Sequence, residues 1–254
     1  MTAASPSGAQ QLDQSLPKIL GYPMFDAHRH LTSETEMHDA LYCTSHQDEW
    51  PRVANLPSPA IGALGALANK ALADRPLPSI EDLAYCLEGN PFLQVGEIGL
   101  DKRFGDMEGQ QRFLNAALDL AFSLKRSVTV HVVQSDALFL SCLKKAGRRA
   151  PPILWHGFTG SIETARTAAE KGCILSLAPG IEHTRLAKRI EELALLPFAI
   201  ETDYENDTKQ DKPYIQALEA QYTLIGRLMH LDRETLTRNN RAKRAILTNN
   251  APPR

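Results

Sequence analysis

Five short strings of this chain end in groups that bind divalent metals: Phe25-Asp26-Ala27-His28-Arg29-His30, Gly96-Glu97-Ile98-Gly99-Leu100-Asp101, Val130-His131, Trp155-His156-Gly157-Phe158-Thr159-Gly160-Ser161 and Glu201-Thr202-Asp203. Each follows an apolar run of strand length, so strand after strand finishes in a potential ligand. His28 and His30 stand two apart at a strand end. That spacing sends both side chains from one face, about 7 Å apart along the chain and within reach of one ion, and turns Arg29 to the other side. Glu97 interrupts the apolar segment Leu93 to Leu100, where a buried charge must be paired or ligated. His131 ends the run Ser127-Val128-Thr129-Val130, and His156 ends Pro152-Ile153-Leu154-Trp155. One histidine at a strand end is more often structural, but two at matching places weigh toward ligation. Glu201 and Asp203 share a strand face by alternation, so one can bind metal while the other orients a neighbouring ligand.

The elements that must position these groups alternate in type. Apolar runs at Leu93–Glu97, Val128–His131, Ile153–His156, Cys173–Leu177 and Phe198–Thr202 read as strands. Between them helical periodicity predicts helices over Met107–Leu124, Ala137–Ala146, Ile162–Lys171 and Glu182–Ala194, with Asp106, Ser135 or Asp136, and Ser161 as capping residues. Tyr214–Met229 and Arg233–Leu247 read as two successive helices that cover the end of the sheet. In the first third, Met24–His28 is a buried strand, and Ala40–Thr44 and Ala60–Leu64 are weaker strand candidates. The short gap between the first two leaves the first helix reduced or absent. Pro51, Pro57 and Pro59 restrict the segment from Asp48 to Pro59 to a turn or two of helix. The count approaches the eight strands of a TIM (β/α)8-type barrel, whose C-terminal strand ends converge on one mouth.

The chain of 254 residues, 43% hydrophobic, matches the size of a single α/β barrel, which runs to about 250 residues. We expect a flexible N-terminal tail over residues 1–20, rich in Ala, Ser, Gln and Pro, followed by one barrel domain over 21–254. The formal charge of −2 argues against a generally basic surface for gripping long nucleic acid, so any phosphate binding must be local. Cys43, Cys86, Cys142 and Cys173 form no Cys-x-x-Cys pair, and the opening segment lacks the apolar core of a secretory signal. These features predict free thiols in a cytoplasmic protein. No apolar stretch approaches the roughly 20 residues that cross a bilayer, so no membrane association is expected, and no protein partner is evident.

Imidazoles and carboxylates meeting at a barrel mouth form a nitrogen and oxygen site suited to Zn, Mn, Fe, Co or Mg. A carboxylate such as Glu97 can bridge two ions held about 3.5–4 Å apart, an arrangement suited to hydrolysis by an activated water. At this point the chain resembles the TatD-like metal-dependent hydrolases of the amidohydrolase superfamily. The resemblance runs through His28-Arg29-His30, Gly96 to Asp101, Gln110-Gln111-Arg112-Phe113, His131, His156 to Ser161 and Glu201-Thr202-Asp203. It implies two divalent metal ions, one held by His28, His30, Glu97 and Asp203 and the other by Glu97, His131 and His156. It further implies that Asp203 takes the proton of the attacking water, with Glu97 as its catalytic companion, and that DNA is the substrate.

Three features depart from the family pattern. Ile61-Gly62-Ala63-Leu64-Gly65-Ala66 replaces the usual Gly-x-His-Pro, Tyr204-Glu205-Asn206-Asp207 adds acidic charge beside the mouth, and Val132-Val133-Gln134 follows His131 in place of Ser-Arg. They keep a second reading open, a small phosphate or carboxylic ester, lactone or amide as substrate, and a third, a metal-binding scaffold. Lys102 and Arg103, just past Asp101, are candidate substrate-contacting cations, although loop charges are most often simply solvated.

Overall fold

The structure is a computed structural model that describes residues 24–33, 37–68, 76–205 and 212–248; the tail expected over 1–20 lies outside them. Eight strands pair in parallel and in chain order. They are β1 (Asp26–Arg29), β2 (Ala40–Cys43), β3 (Ile61–Leu64), β4 (Gln94–Asp101), β5 (Val128–Val133), β6 (Ile153–Trp155), β7 (Cys173–Leu177) and β8 (Phe198–Ile200). The intervening helices are α1 (Trp50–Val53), α2 (Ile80–Gly89), α3 (Met107–Leu124), α4 (Asp136–Ala146), α5 (Ile162–Glu170) and α6 (Ile190–Leu193). The successive helices α7 (Tyr214–Met229) and α8 (Arg233–Leu247) follow β8. This is the expected TIM-type barrel, and among the described residues no helix separates β1 from β2.

Parallel strands covered by helices are buried on both faces. Here Phe25, Ala27, Leu41, Cys43, Ala63, Leu154, Ile174 and Ala199 form one small cluster that fills the barrel. A larger cluster, including Val95, Leu100, Val128, Val130, Leu175 and Ile200, joins the outer strand faces to the helices.

Three elements differ from expectation. The fourth strand runs on past Glu97 to Asp101. Its two glycines argue for a loop, yet Gly99 is what lets β5 pass so close: a Cβ there would lie 1.8 Å from the His131 carbonyl oxygen. The helix expected over Glu182–Ala194 breaks into 3-10 turns and the short α6. Thr184 is extended at φ −88° and ψ 164°, and its hydroxyl donates to the Ile181 carbonyl at 2.7 Å, competing with the helical pattern. Leu186, Ile190 and Leu193 nevertheless bury the apolar face that the periodicity promised. Finally, α2 was not anticipated, although its signals are in the sequence. Ser79 accepts from Asp82 N at 3.1 Å, Glu81 and Asp82 occupy the first turn, and Leu83 and Leu87 are buried four residues apart.

Side chains complete the β1–β8 seam. Asn240 of α8, fully buried, accepts from Ile200 N at 2.8 Å and donates to the Ile200 and Phe25 carbonyls at 3.0 and 2.6 Å. Asp26 accepts from Thr202 N at 2.9 Å and from the Thr202 hydroxyl at 2.6 Å. The Tyr222 hydroxyl also donates to the Phe25 carbonyl, at 2.9 Å. Replacing Asn240 with Ala removes this partner from Ile200 N and the Ile200 carbonyl, while the Phe25 carbonyl keeps the Tyr222 hydroxyl, and each buried group left unpaired costs on the order of 1–3 kcal/mol. We expect Asn240→Ala to lower stability by about 2 kcal/mol or more, measured as a lower urea midpoint with an unchanged slope.

Candidate metal centre

The strand ends deliver the predicted groups to one place. His28 lies in β1 and His30 just after it, Glu97 in β4, His131 in β5, His156 directly after β6, and Asp203 shortly after β8. Two backbone bonds bind the ends of β1 and β8 together, Asp203 N to the His28 carbonyl at 3.1 Å and His30 N to the Tyr204 carbonyl at 2.8 Å. Glu97 N is held by the Thr44 carbonyl at 2.8 Å.

The cluster has two halves that meet at Glu97. In the first, His28 Nε2 is 3.3 Å from Asp203 Oδ1 and 3.9 Å from Glu97 Oε2, while His30 Nε2 is 3.6 and 3.5 Å from the same atoms. Ligands about 2.1 Å from a tetrahedral ion sit roughly 3.4 Å from one another, so these separations suit a cation. His28 Nε2 is buried and has no aligned hydrogen-bond partner among the described residues, as expected of a nitrogen aimed at an ion. In the second half, Glu97 Oε1 is 2.7 Å from His156 Nε2 and 3.0 Å from His131 Nδ1, and those two nitrogens are 2.9 Å apart. These are hydrogen-bond separations. The donor set fits a divalent ion, but the three atoms must spread by about half an ångström to surround one.

The outer nitrogens of the second pair have carboxylate neighbours. His156 Nδ1 faces Glu201 Oε1 at 3.4 Å, and Gly157 N donates to the same oxygen at 2.7 Å. His131 Nε2 faces Asp101 Oδ2 at 3.3 Å. Such partners orient an imidazole and raise its basicity. Asp203 therefore lies among the inner donors and Glu201 behind His156, one of the two arrangements the alternation allows.

Burial opposes ionisation of Glu97, yet the His156 charge and hydrogen bonds from His131 and His156 hold its carboxyl well below the ordinary range. Asp203 is likewise lowered: burial works against it, and the facing imidazoles of His28 and His30 outweigh that. Burial drives His28 toward its neutral form, helped by the His156 charge. His30 moves the other way, to about 9, because Asp203 and Glu97 overcome its burial. The centre thus keeps its carboxylates charged through the imidazoles that face them.

Of the two candidate substrate cations, Arg103 is committed to Asp101. Its Nε contacts Oδ1 at 2.9 Å and Nη2 contacts Oδ2 at 2.5 Å, so it supports the carboxylate behind His131. Lys102 is exposed. At the end of β3, where the family motif is missing, Gly65 O accepts from the Thr44 hydroxyl at 2.9 Å and from Trp50 Nε1 at 2.8 Å. Of the acidic loop, Tyr204 is buried, Glu205 is exposed within reach of His30 and Asp203, and Asn206 and Asp207 lie outside the described residues. Asp26 and Gln110 were given no role from sequence. Asp26 is a charge in an apolar run, the same signal that exposed Glu97, and burial pushes its carboxyl up to about 7. Gln110 holds the turn after β4, accepting from Asp101 N at 2.7 Å and donating to the Gly105 carbonyl at 3.0 Å.

The sequence matches the family described as TatD related DNase over residues 57–242. The metal-dependent hydrolase YjjV of Escherichia coli (strain K12) is 33% identical over 133 residues, 49% of this chain and 51% of that protein. The 3'-5' ssDNA/RNA exonuclease TatD of Citrobacter koseri is 30% identical over 132 residues, 48% of this chain and 50% of that protein. The chain thus spans about half the length of the curated relatives it matches. In three dimensions, the crystal structure of the Escherichia coli YjjV protein aligns with a TM-score of 0.72 at 22% identity, over 89% of this chain and 98% of that one. A TatD family hydrolase from Entamoeba histolytica aligns with a TM-score of 0.66 at 12% identity, over 90% and 99%. These alignments show a shared barrel. The family match includes Glu97, His131, His156 and Asp203, and the fold brings His28 and His30, which precede the matched stretch, to the same centre. This chain belongs to the TatD related DNase family.

Proposed function

We propose that this chain is a divalent-metal-dependent hydrolase of phosphodiester bonds, acting on DNA at the C-terminal mouth of the barrel. The observation that carries the reading is the first half of the cluster, where the His28 and His30 Nε2 atoms each stand 3.3 to 3.9 Å from Glu97 Oε2 and Asp203 Oδ1, and the His28 nitrogen is buried without an aligned hydrogen-bond partner among the described residues. Family membership and the exonuclease name of the Citrobacter relative support nucleic acid as substrate.

His28, His30, Glu97 and Asp203 would hold one ion, and Glu97, His131 and His156 a second, with Zn, Mn, Mg, Fe and Co all compatible with the donors. When bound, divalent ions at such a site make water a stronger acid and offset charge on the phosphoryl oxygens. Glu97, with its side chain 3% exposed, stays ionised and links the two halves. Asp203 has a side chain 37% exposed, so it can meet a water at the mouth and accept its proton while still facing the histidines.

A second reading rests on Arg103 and Glu205. With the guanidinium held by Asp101 and the Glu205 carboxylate near His30 and Asp203, the exposed Lys102 is the remaining one of the two candidate cations. That favours a small, weakly charged ester or lactone over a polyanion. A panel of single-stranded DNA, double-stranded DNA, a phosphodiester such as bis(p-nitrophenyl) phosphate, and a lactone separates the two readings. Metal-dependent nucleotide release is expected. Turnover of the lactone alone would install the second reading, and no turnover of any member by metal-loaded protein would overturn both.

Two substitutions divide the labour within the cluster. Glu97→Gln should lower bound metal in both halves, read by elemental analysis after gel filtration; unchanged stoichiometry would refute the bridge. Asp203→Asn should cut kcat by about 100-fold or more while metal content falls less, the range expected for loss of a general base. Equal rates in the two proteins would refute that role.

A further inference from the structure

Between the two leading histidines sits an arginine that the chemistry above does not use. Arg29 is the last residue of β1, and only 1% of it is exposed. Its guanidinium carbon stands 3.7 Å from the ring centre of Tyr214, 4.8 Å from that of Tyr42 and 5.2 Å from that of Tyr204. The Tyr204 and Tyr214 rings meet edge to face at 5.4 Å. Three separate parts of the barrel thus close on one cation: β2, the segment after β8, and the first turn of α7. Arg29 Nε also donates to the His30 carbonyl at 3.3 Å.

An apolar side chain could fill a space among three rings without the cost of burying a charge, and such replacements in cores are often neutral or stabilising. The arginine therefore needs a reason in what it joins. Tyr204 directly follows Asp203, and its carbonyl receives His30 N at 2.8 Å, while Asp203 N bonds back to the His28 carbonyl at 3.1 Å. Its hydroxyl donates to the Lys212 carbonyl at 3.2 Å, tying the segment after Asp203 to the approach to α7. A planar guanidinium stacked between these rings fixes their mutual distance in a way a lysine cannot, because lysine presents a mobile point charge in place of a flat fork.

We propose that Arg29 is a positioning residue for metal binding: its tyrosine cage holds the ends of β1 and β8 at the separation that keeps His28, His30 and Asp203 spaced for an ion. This rests on the metal reading of the cluster, and it assigns no such dependence to the His131 and His156 half, whose strands pair through the β4–β5–β6 ladder.

The test is a cobalt(II) titration of wild-type, Arg29→Met and Arg29→Lys proteins, followed by visible absorption, with far-ultraviolet circular dichroism to confirm folding. Arg29→Met should weaken the tighter cobalt site by about tenfold or more and change its absorption envelope, the range seen when groups that orient ligands are removed. Arg29→Lys should recover only part of the loss. Should Arg29→Met fail to fold, Tyr204→Leu, which removes one ring and keeps the backbone, should shift the same site in the same direction. A folded Arg29→Met or Tyr204→Leu protein with wild-type cobalt affinity and spectrum would overturn the positioning role alone. Absence of cobalt uptake by the wild-type protein would overturn the metal reading beneath it.

Discussion

A carboxylate buried at the centre of a barrel mouth is the constraint on which the rest of this molecule depends. Glu97 has a side chain 3% exposed and four imidazoles around it, and taking a charge so far from water is tolerable only when opposite charge or metal meets it closely. Its backbone must therefore be held without slack. A Cβ on Gly65 would lie 2.4 Å from the Glu97 carbonyl oxygen, and one on Gly99 would lie 1.8 Å from that of His131. Only glycine lets β3, β4 and β5 approach this closely at the level of the site, so the glycines of Gly96-Glu97-Ile98-Gly99 serve close packing where they would otherwise weaken a strand.

Around that carboxylate the imidazoles are presented in different ways. His156 turns Nε2 inward with Nδ1 toward Glu201, whereas His131 turns Nδ1 inward with Nε2 toward Asp101. The carboxylate behind each ring decides which nitrogen is free to ligate. Asp101 needs support of its own, and the forked contact with Arg103 gives it: despite burial, the hydrogen bonds from Arg103 keep its carboxyl below the usual range. A guanidinium that looks from sequence like a hand for phosphate thus acts two groups away from the cluster, through Asp101 and His131.

How much of this was legible depended on whether the signal was local. The five ligand strings could be read because each ended an apolar run, and strand periodicity does not rely on distant partners. The barrel followed from the alternation of strands and helices after residue 90, and the missing first crossover from the shortness of the gap before Ala40. What could not be read was set by partners far off in sequence. The engagement of Arg103 with Asp101 depends on side-chain choice at a turn. The cage around Arg29 requires Tyr42, Tyr204 and Tyr214 to meet in space. The seam role of Asn240 appears only when α8 lies across Phe25 and Ile200. The failed helix at Glu182–Ala194 teaches a different lesson, because its apolar spacing was read correctly while Thr184 redirected the backbone.

The two halves of the cluster are unequally spaced. His131 lies on β5 and His156 directly after β6, two strands in continuous register up to Val130 opposite Trp155, while β4 carries a register irregularity between Val95 and Ile98, across Glu97. Neighbouring strands lie about 4.8 Å apart, so side chains leaving one level of such a ladder on the same face come readily into contact. His28, His30 and Asp203 flank the β1–β8 seam, where side chains of Asp26 and Asn240 add to the backbone bonds from Asp203 N and His30 N. In the first half the imidazole nitrogens stand 3.3 to 3.9 Å from the carboxylate oxygens, where the donors of the other half stand 2.7 to 3.0 Å apart. The separations of the first half are the ones that match tetrahedral ligands about 2.1 Å from an ion, roughly 3.4 Å. The half on the ladder would have to spread its donors by about half an ångström to match that spacing.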